Sequence, residues 1–232
     1  MSPSFIHLHL HSEYSLTDST IRIGDLVKRC AALGMPAVAL TDQSNLFATV
    51  KFVKEARKAG LKPIVGADLW LASPEHATCR ITVLCQSYAG YLSLSRLLSK
   101  AWLQGHADGR VQVEADWLQQ HAEDLILLLG RESAIAQLMA DGREEAARRQ
   151  LGHWTRAFPD RLYLELSRCG RPGEEAWVHT ALALASEFDL PAIASNDVRF
   201  IEQDDFEAHE ARVCISTGRV LADPKRPRDY SA

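Results

Sequence analysis

Short hydrophobic runs alternate with amphipathic stretches along almost the whole 232-residue chain. Seven runs rich in Val, Ile, Leu and Ala have the length of buried strands. These strands are predicted at residues 5–10, 37–42, 62–72, 80–85, 125–129, 161–167 and 191–197. Apolar residues at helical spacing predict helices at 22–34, 46–60, 88–103, 114–121, 133–157, 174–189 and 203–216. The alternation predicts an α/β fold whose parallel strands are joined by right-handed crossovers.

The number of predicted strands narrows the fold further. Seven strands in sequence favour a closed or nearly closed (β/α) barrel over an open doubly wound sheet. In such barrels the functional side chains gather at the carboxyl ends of the strands. Polar residues do collect there: strand one ends in HLHS, strand two in TDQSN, strand three contains GAD, and the last strand ends in SNDVR. We therefore expect the functional site at this end of the barrel.

Composition limits the class of protein. A hydrophobic content of 47% is enough to fill a sizeable core. The net charge of −4 does not indicate a protein that binds nucleic acid over its whole surface. The only compact basic stretch is KRPR at 225–228. No apolar run is long enough to span a membrane. The five cysteines are odd in number and form no CxxC pair, which indicates reduced thiols and a cytoplasmic location; they stand at positions 30, 79, 85, 169 and 214.

The opening strand carries an unusual pattern. His7, His9 and His11 alternate with aliphatic residues, so in an extended strand the three imidazoles would share one face. Such a face needs either hydrogen-bond partners or a cation. Taken alone, the pattern leaves structural histidines and a metal site as alternatives.

Five ordered motifs resemble a known family: HLHLHS, TDQSNLFATVKF, KPIVGADLWLA, GYLSLSRLLSKA and SNDVRFI. They are similar to the polymerase and histidinol phosphatase (PHP) domain, and more narrowly to its version at the N-terminus of bacterial replicative DNA polymerase III alpha subunits. The resemblance implies a distorted seven-stranded (β/α) barrel of the PHP type over residues 1–220. It also implies that residues 221–232, which include DPKRPRDYSA, begin the connection to a polymerase palm.

The family's metal-binding members hold a cluster of divalent metals with histidines and carboxylates, and some hydrolyse phosphoesters. By resemblance, the ligand positions here are His9, His11, Asp18, Gln43, Asp68, Arg80, Arg131, Asp197 and Arg199. Aspartate replaces a glutamate at 68, and glutamine or arginine replaces a histidine or cysteine at 43, 80, 131 and 199. Arginine cannot be deprotonated in a protein and offers a metal no lone pair.

These substitutions predict a degenerate site in which arginine–carboxylate pairs replace metal–ligand bonds. The three arginines would neutralise the three aspartates, and Asp197 with Arg199 would form a salt bridge. We expect no metal and no catalytic residue in this chain. If one metal remained, His9, His11 and Asp197 would hold it.

The resemblance implies that the longer protein is a DNA-directed DNA polymerase, a nucleotidyltransferase of chromosomal replication. Its magnesium-binding palm and its contacts with DNA and dNTP would lie beyond residue 232. This chain would need no cofactor, would not contact a membrane and would act as a catalytically silent scaffold. Its partners would be the rest of the alpha chain and the proofreading exonuclease (epsilon) subunit. The alternative is a residual metal-dependent phosphoesterase, pyrophosphatase or 3′–5′ exonuclease.

Two polar helical stretches are assigned to solvent by default. One lies on the last predicted helix and contains Glu207, His209 and Glu210. The other is a basic face on the second predicted helix, formed by Lys51, Lys54, Arg57 and Lys58. No GxSxG, GxGxxG or P-loop motif supports another catalytic or nucleotide-binding class.

Overall fold

The computed structural model describes residues 5–72 and 77–226. Residues 1–4, 73–76 and 227–232 lie outside this range. The predicted connection at 221–232 and the basic stretch at 225–228 are therefore described only as far as Arg226, and the boundary near residue 220 stays a prediction.

The helices of the described residues follow the predicted pattern. They are α1 Ile23–Ala32, α2 Thr49–Lys58, α3 Tyr88–Gln104, α4 Ala115–Gln120, α5 Ala134–Ala140, α6 Glu144–Ala157, α7 Glu174–Phe188 and α8 Phe206–Thr217. The single helical region expected at 133–157 is divided into α5 and α6. Gly142, between them, adopts a left-handed conformation with φ of 71°, which ends a helix.

Every predicted run contains a strand, although the first is shortened to two residues and the last is divided into β9 and β10, and one hairpin is unpredicted. The strands are β1 His9–Leu10, β2 Ala37–Leu40, β3 Lys62–Ala72, β4 Cys79–Cys85, β5 His106–Ala107, β6 Arg110–Glu114, β7 Leu125–Leu129, β8 Leu162–Leu166, β9 Ala192–Ala194 and β10 Asp197–Val198. The unpredicted hairpin joins β5 to β6 through Asp108 and Gly109, whose φ angles are 52° and 71°. Two positive φ angles in an Asp-Gly pair are typical of a tight hairpin turn.

Most strands form one sheet in the order β5-β6-β3-β4-β7-β8-β9, and β2 pairs with β3. The expectation of wholly parallel strands is wrong at β4, which runs antiparallel to both β3 and β7. The reason is the short connection from β3 to β4 at residues 73–78, since a parallel neighbour needs a crossover of about a dozen residues or more.

A closed seven-stranded barrel is not confirmed among the described residues. β1 and β10 form a separate two-stranded parallel ladder, in which His9 lies opposite Asp197. Single backbone hydrogen bonds connect this ladder to β2: Ala39 N donates to His7 O at 2.8 Å, and Thr41 N donates to Leu10 O at 2.9 Å. The established architecture is an α/β fold with an eight-stranded sheet and this short ladder beside it.

The sheet is apolar on both faces. On one face a large core packs the strands against α3 to α7, and a second core packs β1 and β2 against α1 and α2. A smaller cluster on the other face is centred on Ala39, Leu84 and Leu128. In β8 the alternation sends Leu162 and Leu164 into the large core and Tyr163 toward the smaller cluster. That register turns Glu165 to the same face as Tyr163.

None of the helices in the described part of the chain has the length and hydropathy that a membrane span requires.

We predict that Gly66, in the middle of β3, cannot be replaced by alanine without loss of stability. An added Cβ would lie 2.3 Å from the carbonyl oxygen of Val83 in β4, a backbone atom that cannot move independently. Gly66→Ala should lower the free energy of unfolding by about 1–3 kcal/mol in urea titrations. Gly24→Ala is the control, because a Cβ there meets nothing within 4 Å; it should be neutral or stabilising by up to about 1 kcal/mol. Equal effects of the two substitutions would contradict this account.

Candidate functional site

His9 and His11 converge on one carboxylate. Because they stand at alternate positions of an extended segment, both rings point to the same side of β1. Their Nε2 atoms each lie 2.9 Å from Oδ2 of Asp68 in β3. The opposite nitrogens reach other carboxylates: His9 Nδ1 lies 3.1 Å from Glu165 Oε1, and His11 Nδ1 lies 2.9 Å from Asp18 Oδ1. Each imidazole therefore bridges two carboxylates.

Asp68 is the centre of the cluster and is fully buried. Besides the two histidines, Arg80 Nη2 lies 2.5 Å from its Oδ2, and the hydroxyl of Thr82 donates a short hydrogen bond to its Oδ1. Burial alone would raise the pKa of the Asp68 carboxyl. The charges of His9 and Arg80 and the hydrogen bonds from both histidines outweigh burial and hold this pKa well below its usual range.

Arg199 occupies the centre of a second group. Its side chain is 1% exposed, and its Nη2 lies 2.5 Å from Asp197 Oδ1 in β10. Its Nε lies 3.7 Å from Asp18 Oδ2, and Arg171 Nη1 lies 2.8 Å from the other oxygen of Asp197. Burial would raise the pKa values of both aspartates. The neighbouring guanidinium and imidazole groups hold the pKa of Asp18 and of Asp197 well below the usual range.

His9 lies among three buried carboxylates. Burial tends to lower the pKa of His9, but the nearby carboxylates of Asp68, Glu165 and Asp197 raise that pKa well above 6.5. Both ring nitrogens face carboxylate oxygens, as an imidazolium that donates twice requires. The cluster joins the carboxylates of Asp18, Asp68, Glu165 and Asp197 to the guanidiniums of Arg80, Arg171 and Arg199 and to two imidazoles, with Glu132 on the outer side of Arg80.

Two of the expected site residues take other roles. The prediction that Arg131 neutralises a site aspartate is wrong: its Nη1 donates to Pro172 O at 3.2 Å, and its Nη2 lies 3.9 Å from Glu132 Oε1. Arg131 lines the cavity beside the cluster, and Arg171 supplies the third guanidinium to the site aspartates instead. Gln43 lies beside the cluster but donates from its Nε2 to the backbone oxygen of Asp68, at 3.1 Å.

His7 lies outside the cluster, so the expected face of three imidazoles contains only two. Regular strand geometry begins at His9, and the ring of His7 packs edge-on against Phe5 with ring centroids 5.0 Å apart. Burial lowers the pKa of His7.

The assignment of His209 and Glu210 to solvent is also wrong, because both side chains are buried. His209 Nε2 lies 3.1 Å from the carbonyl oxygen of Asp18. Arg212 of the same helix donates from its Nε to Leu16 O at 2.8 Å. Helix α8 thus packs on the loop that carries Asp18 and fixes this carboxylate beside His11.

Three functional residues were not predicted: Thr82, Glu165 and Arg171. Glu165 could have been found, because it is the one charged residue inside the apolar strand LYLEL and lies on the face opposite Leu162 and Leu164. Arg171 follows β8 in an irregular segment, where the sequence gives no indication of its direction.

The cavity beside the cluster is small. It has a volume of about 30 Å³, and its lining includes His9, Arg80, Glu165, Arg171 and Asp197. That space is enough for about one or two water molecules. It is too small for a phosphoester substrate unless the arginines move.

Three of these side chains could supply ligands to one metal ion. His9 Nε2, His11 Nε2 and Asp68 Oδ2 lie within 4.8 Å of one another and could supply three ligands to one ion. However, the guanidinium of Arg80 already binds the same Asp68 oxygen, and that of Arg199 lies 3.9 Å from it. A divalent ion would also add two positive charges beside these guanidiniums. The side chains as arranged therefore do not fit a metal cluster, and Asp197, which Arg199 binds, is not among the three convergent ligands.

Comparison with known proteins agrees with the sequence motifs. A family model described as "PHP domain" matches residues 7–169. The chain is 51% identical to DNA polymerase III subunit alpha of Xylella fastidiosa over 98% of its length, 49% to that of Pseudomonas aeruginosa over 100%, and 44% to that of Escherichia coli K12 over 99%. It spans about a fifth (20%) of the length of these relatives.

Two solved structures share the fold. An amidohydrolase from Chromobacterium violaceum with bound sulfate aligns with a TM-score of 0.56 and 15% identity, over 89% of this chain and 96% of that one. A Bifidobacterium adolescentis protein described as a metal-dependent phosphoesterase aligns with a TM-score of 0.55 and 13% identity, over 94% and 99%. At these identities the likeness establishes the fold alone.

We predict that Arg199→Ala destabilises the protein by about 3–5 kcal/mol, because it leaves the buried carboxylate of Asp197 without its nearest cation. Adding Asp197→Asn should recover much of the loss, since the stranded charge is then removed. Arg148→Ala is the control: this arginine pairs with Glu144 and Glu187 at the surface, where solvent screens the charges, so its removal should have little effect. Urea unfolding of each variant measures the coupling, and additive losses at 197 and 199 would refute it.

We also predict that stability is highest between pH 3.8 and pH 6.5, the usual pKa values of an aspartate and a histidine. The lowered pKa values of Asp68 and Asp197 stabilise the fold above pH 3.8, and this contribution is lost as the pH falls through the folded-state pKa values. The raised pKa of His9 stabilises the fold below pH 6.5 and is lost as the pH rises through its folded-state pKa.

Urea midpoints measured across pH test this profile. His9→Gln should remove much of the alkaline loss, whereas His179→Gln, at an exposed position of α7, should leave it in place. If the urea midpoint falls equally at alkaline pH in His9→Gln and in the wild type, His9 is not the titrating group.

Proposed function

Since the chain belongs to the PHP domain family, we propose that it is the PHP domain at the N-terminus of the alpha subunit of a bacterial replicative DNA polymerase III. The support is 44–51% identity to such subunits along essentially the whole chain. The longer protein would be a DNA-directed DNA polymerase that uses DNA, dNTP and magnesium in a palm outside these residues. It would act in the cytoplasm.

Within that protein the domain would be a catalytically silent scaffold. The observation that carries this proposal is that Arg80 and two histidines bind the Asp68 oxygen that a metal would need. A guanidinium offers a metal no lone pair and competes with it for this carboxylate.

The cluster would brace the fold by joining segments far apart in sequence. Its ion pairs connect β1, β3, β4, β8 and β10, which are strands of both the main sheet and the short ladder. We propose that these contacts, with the backbone hydrogen bonds between β1 and β2, make the two sheets behave as one distorted seven-stranded barrel. A rigid barrel suits a domain that positions a polymerase core and docks the proofreading exonuclease (epsilon) subunit.

A second candidate is a residual phosphoesterase, pyrophosphatase or 3′–5′ exonuclease that uses one metal. The convergence of His9, His11 and Asp68 within 4.8 Å favours it. The cavity of about 30 Å³ and the guanidinium on Asp68 weigh against it. We therefore place it behind the scaffold role.

We predict that the purified protein carries well under one equivalent of zinc, manganese or iron and that its melting temperature does not fall in EDTA. The physical reason is that Arg80 and Arg199 already neutralise the carboxylates that a cation would need. A structural metal would contribute folding free energy directly, so its removal would lower the melting temperature. Inductively coupled plasma mass spectrometry provides the measurement. One tightly bound ion per wild-type chain, with hydrolysis of a generic phosphoester, would favour the second candidate instead.

The converse experiment restores the ligands. A variant carrying Gln43→His, Arg80→His, Arg131→His and Arg199→His together should bind metal, because His9, His11 and Asp68 are already convergent. Arg80→His alone should fail, since Arg199 still faces the same carboxylates. Adding His9→Ala to the fourfold variant is the matched control and should abolish binding. Stoichiometric metal in the Arg80→His variant would show that the remaining arginines do not oppose a cation.

A further inference from the structure

The segment that follows β8 forms part of the wall of the cavity beside the cluster. It comprises residues 167–173 and is called here the cavity strap. Ser167 and Arg171 line the cavity, and Arg171 Nη1 reaches inward to Asp197 Oδ2 at 2.8 Å. Arg80, which also lines the cavity, is held in β4, whereas the strap contains no helix or strand. The position of this part of the wall therefore depends on side-chain contacts.

Three donors of the cavity strap converge on Glu174, the first residue of α7. Its Oε2 accepts hydrogen bonds from the backbone N–H groups of Cys169, at 2.7 Å, and of Arg171, at 3.0 Å. Its Oε1 accepts a hydrogen bond from the hydroxyl of Ser167 at 3.1 Å. Glu174 is buried, with 4% of its surface exposed. Hydrogen bonds to a charged, buried acceptor are among the stronger ones in proteins, so this carboxylate restrains the strap.

The local backbone favours this arrangement. Glu174 lies in the first turn of α7, where the free N–H groups and the helix dipole attract negative charge. Gly170 and Gly173 have φ angles of 81° and 82°, in the left-handed region that glycine adopts without steric cost. These two residues let the chain turn back on itself, so that two successive donors can reach one carboxylate.

Two further contacts hold the cavity strap from its outer side. Arg168 pairs with Glu175 through its Nε at 2.7 Å and its Nη2 at 3.1 Å, and both side chains are exposed. Arg131 donates from its Nη1 to Pro172 O at 3.2 Å, also near the surface. Solvent weakens ion pairs and hydrogen bonds in such positions. The buried contact at Glu174 is therefore expected to restrain the strap more than either of them.

We propose that Glu174 holds the cavity strap closed and, through the strap, positions Arg171 on Asp197. When these hydrogen bonds break, the strap moves away from the cluster, Arg171 leaves Asp197 and the cavity widens. The inference deepens the proposed scaffold function and rests on it for the meaning of a closed cavity. It names the residue that keeps this cavity near 30 Å³, too small for a phosphoester.

Alkylation of Cys169 by iodoacetamide tests the proposal, because this half-buried thiol belongs to the cavity strap. The rate is measured in the native full-length alpha chain, and the modified cysteines are located by peptide mass spectrometry. Glu174→Ala should accelerate the reaction of Cys169 by about tenfold or more, since two backbone donors lose a charged acceptor and local opening becomes easier. Glu174→Gln should react more nearly as the wild type does, because its amide keeps the length and one acceptor oxygen.

Glu174→Asp guards against a folding defect. It keeps a negative charge at the start of α7 but is one methylene shorter, so it should also accelerate the reaction of Cys169. Glu175→Ala is the matched control, since this exposed glutamate lies in the same helical turn. Its rate should stay within about twofold of the wild-type rate.

The buried thiols of Cys30 and Cys79 separate local opening from global unfolding. Their alkylation should be as slow in the Glu174 variants as in the wild type. If Cys30 and Cys79 accelerate together with Cys169, Glu174 contributes to global stability only, and the proposal fails. It also fails if Cys169 reacts at the wild-type rate in Glu174→Ala and in Glu174→Asp. Either failure leaves the scaffold function standing, because metal content tests that function separately.

Discussion

The buried charge of Asp68 is the constraint on which the rest of the site depends. A carboxylate that has lost its water must either take up a proton or be surrounded by cations and donors. Here His9, His11, Arg80 and Thr82 surround it, and their own charges and donors require Glu165, Asp18 and Glu132 in turn. One buried charge thus determines where five strands place their polar residues. The arrangement is stable only as a whole, which is why single substitutions are expected to cost more than any one contact is worth.

The fold could be predicted where local sequence determines local structure. The helices α1 to α8 follow from apolar spacing, and β7 and β8 follow from short buried runs. The antiparallel direction of β4 follows from the short connection before it, and the general alternation of strands and helices does not show it. The hairpin at Asp108–Gly109 joins strands of two and five residues, and such short strands give little hydrophobic periodicity. Whether the sheet closes depends on a few backbone hydrogen bonds between the β1 and β2 segments. The sequence pattern within either segment does not predict these bonds.

The residues of the candidate site that belong to the family motifs could be predicted from the sequence. His9, His11, Asp18, Asp68, Arg80, Asp197 and Arg199 lie together in space, as their matched positions indicated. Arg131 was misplaced because sequence gives the position of a residue after a strand but not the direction of its side chain. Glu165 and Arg171 were missed because their partners lie far away in sequence: His9 and Glu165 are 156 positions apart. The direction and depth of a side chain depend on packing across the whole domain, and that information is not local.

Arginine side chains and metal ions can both neutralise buried carboxylates, but they differ in what else they allow at the site. A bound dication neutralises carboxylates but stays exchangeable and leaves coordination positions for substrate and water. A guanidinium is covalently part of the chain, is always charged and offers no such position. Replacing one by the other would therefore exchange reactivity for a fold that does not depend on metal supply. In this protein the same carboxylate-bearing strand is also connected through Ser44 to Trp102 on the surface. Because Arg80 and Arg199 bind the carboxylates of Asp68 and Asp197 directly, the chain's own side chains set the positions of these two strands, and no exchangeable ion is needed between them.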